Sequence, residues 1–266
     1  MAATVSPHMT IMIRAAEKAG KSLVRDFGEV ENLQVSMKGP ADFVSAADHR
    51  AEEILFEELQ KARPGYSFLM EEGGAVAGSD PDNRWLIDPL DGTSNFLHGL
   101  PHWAISMALE HKGEVIAGLI FDPIKDEMFH AEKNGGAFMR RRRLRVSGRQ
   151  DMNLAMVATG APRRALSNQE QFFKEYKALW QAGISLRRYG AAALDLAYVA
   201  AGRYEGFWER SLSPWDVAAG ALIVREAGGF VCDLDDDRNN PVNTGNILAA
   251  NGAIFHPLKK ILRDVK

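Results

Sequence analysis

The sequence predicts a mixed fold in which an α+β half is followed by an α/β half, within a chain of 266 residues. Three observations support this fold class. Residues 1–148 carry two helical patterns and then consecutive apolar strands, as expected for an antiparallel sheet. Residues 149–266 alternate strand and helix patterns, which is typical of an α/β layer arrangement. Neither a repeat nor a low-complexity linker separates the two patterns, so we expect fused rather than tethered halves.

The first half opens with two helices. Apolar residues recur at helical spacing across residues 11–27, and Gly28 is suited to end that helix. A second helix is predicted from Asp48 to Ala62, where Pro64 enforces the stop.

Strands follow these helices. Residues 84–88 (RWLID) form a short apolar run that predicts a buried strand. Two hairpins are predicted next, one turning at 111–113 and the other at 134–136. Their strands are 104–110 with 114–122, and 127–132 with 143–147.

The second half alternates its elements. Predicted strands are 155–160, 185–190, 204–209, 230–233 and 247–251. Predicted helices are 168–181, 192–202 and 215–227, with a further helix at the end of the sequence.

Composition and charge narrow the function classes. The net charge is −3, so no global basic field indicates nucleic acid as the main partner. A single cysteine, Cys232, excludes an internal disulfide framework and a cysteine-based zinc site, and it indicates a reducing compartment. The first residues lack the pattern of a signal peptide, and no apolar run approaches the length of a membrane span. We therefore expect a cytoplasmic enzyme with no membrane contact.

Two carboxylates flank a proline where the strand 84–88 ends. The string Asp88-Pro89-Leu90-Asp91 predicts a β-turn, because proline pre-sets φ at the second position. Such a turn can aim Asp88, Asp91 and the Leu90 carbonyl at one point, and three hard oxygens describe a magnesium site. A purely structural Asp-Pro turn is the alternative.

The next residues strengthen the functional interpretation. Gly92-Thr93-Ser94-Asn95 can open a helix whose first backbone N–H groups hold an anion beside the metal. Other acids end apolar segments in the same way, notably Glu71 after SFLM. Asp216 in a helix first turn and Asp48 near another helix start are also ordinary as dipole or cap residues. Taken singly, each of these acids is a weak signal.

Their order along the chain resembles the inositol monophosphatase family. The segment WLIDPLDGTSNFLHGLP resembles its first signature, and WDVAAGALIVREAGG its second. Upstream, DFVSAAD and FLMEEG resemble the two other metal-region motifs, and AALDLAYVAAGRYEGFWE resembles the stretch that forms the substrate wall. The similarity covers essentially the whole chain and is strongest to the bacterial branch of the family.

The resemblance implies an αβαβα layered sandwich of the sugar-phosphatase type. It also implies Mg²⁺-dependent hydrolysis of myo-inositol monophosphate by metal-activated water, with lithium inhibition. By position, Glu71, Asp88 and the Leu90 carbonyl would hold one Mg²⁺, and Asp88, Asp91 and Asp216 a second. A third ion would lie at Glu71. Residues 1–148 would thus supply most metal ligands, and residues 149–266 would supply Asp216 and the substrate wall.

The same resemblance assigns the catalytic and binding residues. Thr93, bonded to Asp48, would orient the attacking water together with Glu71, and the amides of Gly92 and Thr93 would bind phosphate. The positions implied to contact or line the substrate are Asp91, Gly92, Thr93, Gly190, Ala191, Ala192 and Glu209. Two residues depart from the family pattern: Met70 replaces a usual glycine before Glu71, and Ala191 replaces a frequent Ser or Thr.

The departures leave the phosphate ester open. Fructose 1,6-bisphosphate, a 3′-phosphoadenosine phosphate and histidinol phosphate are alternatives to inositol monophosphate. The family also implies a homodimer. The basic run 140–145 (RRRRLR) permits RNA or a transcription complex as a further partner, although we favour a solvated hairpin turn there.

Overall fold

The computed structural model describes residues 5–29, 35–39, 42–162 and 169–265. The described helices are α1 (Pro7–Phe27), α2 (Ala46–Ala62), α3 (Thr93–Leu97), α4 (Gln169–Gln181), α5 (Ala192–Ala200), α6 (Pro214–Glu226), α7 (Pro241–Thr244) and α8 (Gly252–Asp264). The described strands are β1 (Val35–Gly39), β2 (Asp42–Ser45), β3 (Ser67–Met70), β4 (Gly74–Val76), β5 (Asn83–Asp91), β6 (Ala104–His111), β7 (Glu114–Asp122), β8 (Glu127–Glu132), β9 (Gly136–Met139), β10 (Arg142–Arg143), β11 (Met156–Thr159), β12 (Ser185–Arg187), β13 (Gly206–Glu209), β14 (Phe230–Asp233) and β15 (Ile247–Ala250).

Two large sheets form the framework. The first has the strand order β10-β9-β8-β7-β6-β5-β3-β4 and is antiparallel except where β3 runs parallel to β5. The second has the order β12-β11-β13-β15-β14, and β11 runs parallel to both of its neighbours. β1 and β2 form a separate hairpin. The predicted sequence of an α+β part and an α/β part is confirmed.

The helices make three layers around these sheets. α1 and α2 cover one face of the first sheet, α5 and α6 lie between the sheets, and α4 and α8 cover the outer face of the second. The αβαβα sandwich is therefore confirmed. The boundary at residue 148 stays a prediction, because α6 packs against strands of both sheets and joins them in one core. None of the described helices combines the length and apolar character needed to cross a membrane.

Both long N-terminal helices begin before the apolar periodicity does. α1 starts at Pro7 because Ser6 caps it, accepting a hydrogen bond from Met9 N to its Oγ at 3.1 Å. α2 starts at Ala46, two residues before the predicted start, because Ser45 and Asp48 form a capping box. Local hydrogen bonds, rather than apolar spacing, determine these first turns.

The predicted β-turn at Asp88-Pro89-Leu90-Asp91 is wrong. β5 continues through this string as far as Asp91, with a register irregularity after Asp88: Asp88 lies opposite Ser106, whereas Asp91 lies opposite Ala104. Two residues on β5 therefore face one on β6, which is a β-bulge. Pro89 cannot donate a ladder hydrogen bond, and a bulge is one of the few sheet positions that tolerate it.

The second predicted hairpin is also placed wrongly. β8 pairs with β9 (Gly136–Met139), not with residues 143–147, and Glu132 lies opposite Gly136 across the turn. The chain then turns again, with Arg140 at φ 52°, into the two-residue strand β10. The segment 136–139 is too short to show an alternation of apolar and polar residues, so it was not predicted as a strand.

Candidate active site

A cavity of about 300 Å³ lies where the first sheet, α3, α5, α6 and β13 meet. Every residue predicted for the site lines this cavity except Asp48. The lining residues among the predicted set are Glu71, Asp88, Leu90, Asp91, Gly92, Thr93, Gly190, Ala191, Ala192, Glu209 and Asp216. Segments separated by more than 140 positions in the sequence thus meet at one concave surface.

The bulge in β5 brings Asp88 and Asp91 to the same side of the first sheet. Residues three apart on a regular strand point to opposite faces, and one inserted residue restores a common face. Leu86, Ala104 and Ala108 on that face pack in the core shared with α5 and α6, whereas Leu90 packs on the α1–α2 side. The strand irregularity is therefore what aims both carboxylates into the cavity.

The acidic residues are crowded, and Asp88 among them is almost completely shielded from solvent. Asp88 is 1% exposed. Burial, followed by the charges of Glu71, Asp91 and Asp216, raises the pKa of Asp88 well above its ordinary value. A side-chain hydrogen bond with Glu71 also raises the pKa of Asp88, which places these two carboxyl groups in direct contact.

Asp91 shares this crowding but has backbone partners. Burial and the charge of Asp216 raise the pKa of Asp91 well above its ordinary value, and hydrogen bonds from the first amides of α5 oppose the shift. Ala193 N donates to Asp91 Oδ2 at 2.7 Å. One cavity carboxylate therefore also caps the helix that forms the opposite wall.

Thr93 lies at the start of α3, immediately after Gly92, whose φ of 91° is left-handed. Thr93 Oγ1 is 3.0 Å from Asp48 Oδ1 and 3.0 Å from the Leu90 carbonyl oxygen, and its single proton serves one acceptor at a time. A methyl at Gly92 would lie 3.0 Å from the His102 carbonyl oxygen. Only glycine meets both the backbone angle and the space here.

Two of the acids act as caps as well. Asp48 Oδ2 accepts hydrogen bonds from Ser45 N at 2.8 Å and Ser45 Oγ at 2.6 Å. Asp216 Oδ2 accepts one from Ser213 N at 2.7 Å, completing the capping box of α6. The ordinary helix-cap role and a place at the site are thus compatible for both. Asp42, the first residue of the segment DFVSAAD, begins β2, and its side chain lies outside the described residues.

The substrate-wall side of the cavity is formed by small residues and one acid. Gly190, Ala191 and Ala192 lie at the start of α5, and Glu209 ends β13. Burial, followed by the charges of Asp216 and Asp91, raises the pKa of Glu209 to about 8. A hydrogen bond from the Gly160 backbone opposes that shift in the pKa of Glu209.

Several cavity residues were not predicted. Gly160 touches Glu209 so closely that a methyl group on Gly160 would lie 1.9 Å from Glu209 Oε1. Arg188 brings positive charge to the lining, and Arg210 also borders the cavity although its guanidinium pairs with Glu175 and Asp235. Nothing local marks these three in the sequence. Glu52 could have been found in the sequence, because it lies one helical turn beyond Asp48 on α2. Its side chain accepts a hydrogen bond from Glu72 N, next to Glu71.

The donor set fits a hard divalent cation. Glu71, Asp88, Asp91 and Asp216 line the cavity together with Leu90, and oxygen donors are what Mg²⁺ takes in proteins. A bound cation would also relieve the mutual repulsion that raises the pKa values of Asp88 and Asp91. Within the described ranges, however, no three His, Cys, Asp or Glu side chains are already drawn together in a coordinating arrangement. The fit to Mg²⁺ therefore rests on the oxygen donors that these residues offer and on their position around one cavity.

The basic run and Met70 lie away from the cavity. Arg140 to Arg143 are exposed at the turn between β9 and β10, and Arg140 pairs with Asp126. The predicted solvated turn is confirmed in position. Met70 is 5% exposed and packs in the α1–α2 core, so this departure from the family pattern leaves the lining unchanged.

Comparison with known proteins agrees with this architecture. The family model described as "Inositol monophosphatase family" matches residues 5–265. The chain is 52% identical over 255 residues to the inositol-1-monophosphatase of Mesorhizobium japonicum, covering 96% of each protein. It is 42% identical over 258 residues to the Nus factor SuhB of Pseudomonas aeruginosa, covering 96% of this chain and 95% of that protein. A crystal structure of extragenic suppressor protein suhB from Bartonella henselae superposes with a TM-score of 0.93 at 52% identity, covering 97% and 99% of the two chains. The chain belongs to the inositol monophosphatase family.

Proposed function

We propose that this protein hydrolyses myo-inositol monophosphate to myo-inositol and phosphate with the help of bound Mg²⁺. One observation carries the proposal: Glu71, Asp88, Asp91 and Asp216 converge on a single cavity beside the first turn of α3. The same cavity has a hydrogen-bonding wall on its far side, so a phosphate and a polyol can occupy it together. Membership of a phosphatase family supports this assignment.

The residues that would hold metal are those of the acidic side. Glu71, Asp88 and the Leu90 carbonyl would form one position, and Asp88, Asp91 and Asp216 a second, with Asp88 shared. A further ion would lie at Glu71. When bound, the cations lower the pKa of a water molecule and stabilise the negative charge that develops on the leaving oxygen.

The protein's own groups would then orient the reactants. Glu71 and Thr93 would position the attacking water, because the Thr93 hydroxyl lies within hydrogen-bond distance of Asp48 and is held in place. With the Thr93 proton directed to Asp48, its oxygen is free to accept from that water. The backbone N–H groups of Gly92 and Thr93 would hold the phosphate oxygens at the start of α3.

The wall would select the alcohol part of the ester. Asp91 and Glu209 supply acceptors for ring hydroxyls, while Gly190, Ala191 and Ala192 leave room for the ring beside them. Missing hydroxyls would leave these acceptors without partners inside the cavity, which costs binding energy. A polyol phosphate therefore suits the wall better than a nucleotide does.

Phosphate release from a panel of esters tests the proposal. The panel contains inositol 1-phosphate, fructose 1,6-bisphosphate, a 3′-phosphoadenosine phosphate and histidinol phosphate, each with and without Mg²⁺, and lithium is added to the active cases. We expect Mg²⁺-dependent, lithium-sensitive release that is fastest from inositol 1-phosphate. Release from another ester alone would keep the phosphatase and overturn the substrate, and release from none would overturn the phosphatase.

The proposal includes a cytoplasmic homodimer. Phe173 and Trp180 on α4 are 65% and 66% exposed, and Tyr176 lies between them on the same helix. An exposed aromatic row of this kind suits burial against a second copy. The free thiol of Cys232 suits a reducing compartment. Sedimentation velocity should give a dimer, and a monomer at micromolar concentration would contradict this part of the proposal.

A second candidate function is RNA binding within a transcription complex. It is favoured by the exposed arginines at 140–143 and by the relative named Nus factor SuhB. Arginines on an exposed turn contact phosphates without sequence preference, so such binding would weaken steeply with salt. An RNA titration that does not change when Arg141, Arg142 and Arg143 are replaced by glutamine would remove this candidate.

A further inference from the structure

A buried carboxylate beneath the cavity holds both sequence neighbours of Glu209. Glu175 on α4 is fully buried. Its Oε2 accepts a hydrogen bond from Trp208 Nε1 at 3.2 Å, and its Oε1 accepts two from Arg210, from Nε at 2.8 Å and from Nη2 at 2.7 Å. Trp208 and Arg210 are the residues immediately before and after Glu209, so one carboxylate fixes the chain on both sides of it.

Strand geometry explains what this does to Glu209. Successive side chains on a strand point to opposite faces. Trp208 packs in the core between the second sheet and α4 and α8, and the Arg210 guanidinium reaches the same side to meet Glu175. Glu209 between them lines the cavity on the other face. Fixing the two neighbours therefore directs the Glu209 carboxylate into the cavity.

The segment after Glu209 is held as well. Arg210 Nη1 also donates to Asp235 Oδ2 at 2.9 Å, so the guanidinium bridges α4 and the loop after β14. Two hydrogen bonds then fix the following backbone, from Ser211 N to Asn246 Oδ1 at 3.0 Å and from Leu212 N to the Gly245 carbonyl at 3.1 Å. This segment connects Glu209 to α6. The contacts of Arg210, Ser211 and Leu212 therefore lie between the substrate wall and the helix that carries Asp216.

We infer that Glu175 is a positioning residue that determines how strongly the cavity selects hydroxylated substrates, through Trp208, Arg210 and Glu209. The inference rests on the proposed function, in which Glu209 accepts hydrogen bonds from substrate hydroxyls. Glu175 is not among the residues that line this cavity, and it acts only through its hold on β13. Its loss should therefore affect the recognition of hydroxyl groups and leave the acidic side of the cavity intact.

The same strand offers a matched control at its other end. Glu205, just before β13, is also fully buried, and it accepts hydrogen bonds from Arg149 Nη1 at 2.8 Å and Met156 N at 2.7 Å. Glu205 is not among the residues that line the cavity, and these two hydrogen bonds tie it to Arg149 and Met156 rather than to the neighbours of Glu209. A buried glutamate paired with an arginine thus lies at each end of one strand, and only the Glu175–Arg210 pair adjoins the cavity.

The test compares Glu175→Gln with Glu205→Gln in the full-length enzyme with Mg²⁺. Glutamine keeps one acceptor oxygen, but its amide nitrogen cannot accept, so one of the two flanking contacts is lost. For Glu175→Gln we expect KM for inositol 1-phosphate to rise about tenfold, the effect of losing one good substrate hydrogen bond. For 4-nitrophenyl phosphate, which has no hydroxyl groups, kcat/KM should stay within about twofold. Glu205→Gln should leave the ratio of the two kcat/KM values unchanged.

A double variant guards against an effect of misfolding. Glu175→Leu combined with Arg210→Met removes the pair without leaving a buried charge unpaired, so it should fold. It should lose the same preference for the inositol ester while keeping a cooperative thermal transition, although Trp208 Nε1 loses its acceptor. Wild-type preference in either Glu175 variant, or an equal loss in Glu205→Gln, would overturn the inference. A wild-type enzyme with no preference for inositol 1-phosphate would instead overturn the proposed function on which it rests.

Discussion

The two sides of the cavity are formed by different types of residue. The acidic side consists of four carboxylates delivered by β5, the end of β3 and the first turn of α6. The wall side consists of the Gly190–Ala192 backbone and a single acid, Glu209, which is pressed against Gly160. The acidic side is suited to binding cations and activating water, and the wall side to recognising the alcohol part of the substrate.

The difference indicates that separate residues serve the proposed hydrolysis and the proposed choice of substrate. Burial and mutual repulsion raise the pKa values of Asp88 and Asp91, so the acidic side is costly to the folded state unless a cation is bound. On the wall side, the closest approach is at Gly160, where even an added methyl would lie 1.9 Å from Glu209 Oε1. Substitutions on the acidic side should therefore lower turnover, whereas substitutions on the wall side should alter substrate preference.

Loss of the shared carboxylate should have the largest effect. Asp88→Asn removes the ligand proposed to serve both metal positions, so we expect turnover to fall by about a thousandfold or more. Asp122→Asn is a matched control, because Asp122 is equally buried but caps a turn outside the cavity. Phosphate release from inositol 1-phosphate measures both, and near-normal turnover by Asp88→Asn would refute the metal assignment.

Loss of the Thr93 hydroxyl, which we propose orients the attacking water, should come next. Thr93→Val keeps the shape of the side chain but removes the group that contacts Asp48, so kcat should fall by about a hundredfold. Thr93→Ser restores the hydroxyl and should keep most of the activity. Equal kcat values for the valine and serine variants would show that the hydroxyl has no catalytic part.

A change on the wall should alter preference rather than turnover. Gly160→Ala places a methyl 1.9 Å from Glu209 Oε1, so the carboxylate must move. We expect kcat/KM for inositol 1-phosphate to fall about tenfold while 4-nitrophenyl phosphate is little affected. Gly148→Ala is the control, because nothing lies within 4 Å of its added methyl. A uniform loss on both substrates would place Gly160 in the chemistry instead.

The smallest effect concerns pH and stability. The pKa of Glu209 is raised in the folded protein to about 8 from an ordinary 4.5, so between these values the folded state binds more protons than the unfolded state. Stability contributed by protonated Glu209 is therefore complete below about pH 4.5 and is lost as the pH rises towards 8. In metal-free protein, Glu209→Gln should flatten the decline of Tm over this range by several degrees. An identical slope in wild type and variant would show that Glu209 does not titrate in this range.

Local sequence pointed to Asp88 and Asp91, whereas Glu71, Asp216 and the wall residues were predicted only through the family resemblance. The string WLIDPLDGTSNF carries Asp88, Asp91 and Thr93 within a few positions, so spacing alone suggested a cation beside an anion site. The local structure was nevertheless misjudged, because a proline between two acids predicts a turn, whereas pairing with β6 makes it a bulge. Strand pairing is a long-range interaction that residues 88–91 do not encode alone.

Gly160 and Glu175 show why the remaining residues were missed. Gly160 matters only because β11 and β13 are neighbours, which brings it against Glu209. Glu175 looks like any acidic residue on an amphipathic helix, and its burial becomes evident only when α4 is packed beneath Trp208 and Arg210. In both cases the signal is a contact between segments far apart in sequence, and apolar periodicity carries no information about it.

Magnesium binding measured by titration calorimetry tests the central comparison most directly, using wild type, Asp88→Asn and Glu209→Gln. Both variants replace a carboxylate of the same cavity by an isosteric amide, one on each side. The two-sided account predicts that Asp88→Asn loses Mg²⁺ binding, whereas Glu209→Gln binds Mg²⁺ as the wild type does. Wild-type binding by Asp88→Asn, or an equal loss in both variants, would contradict it.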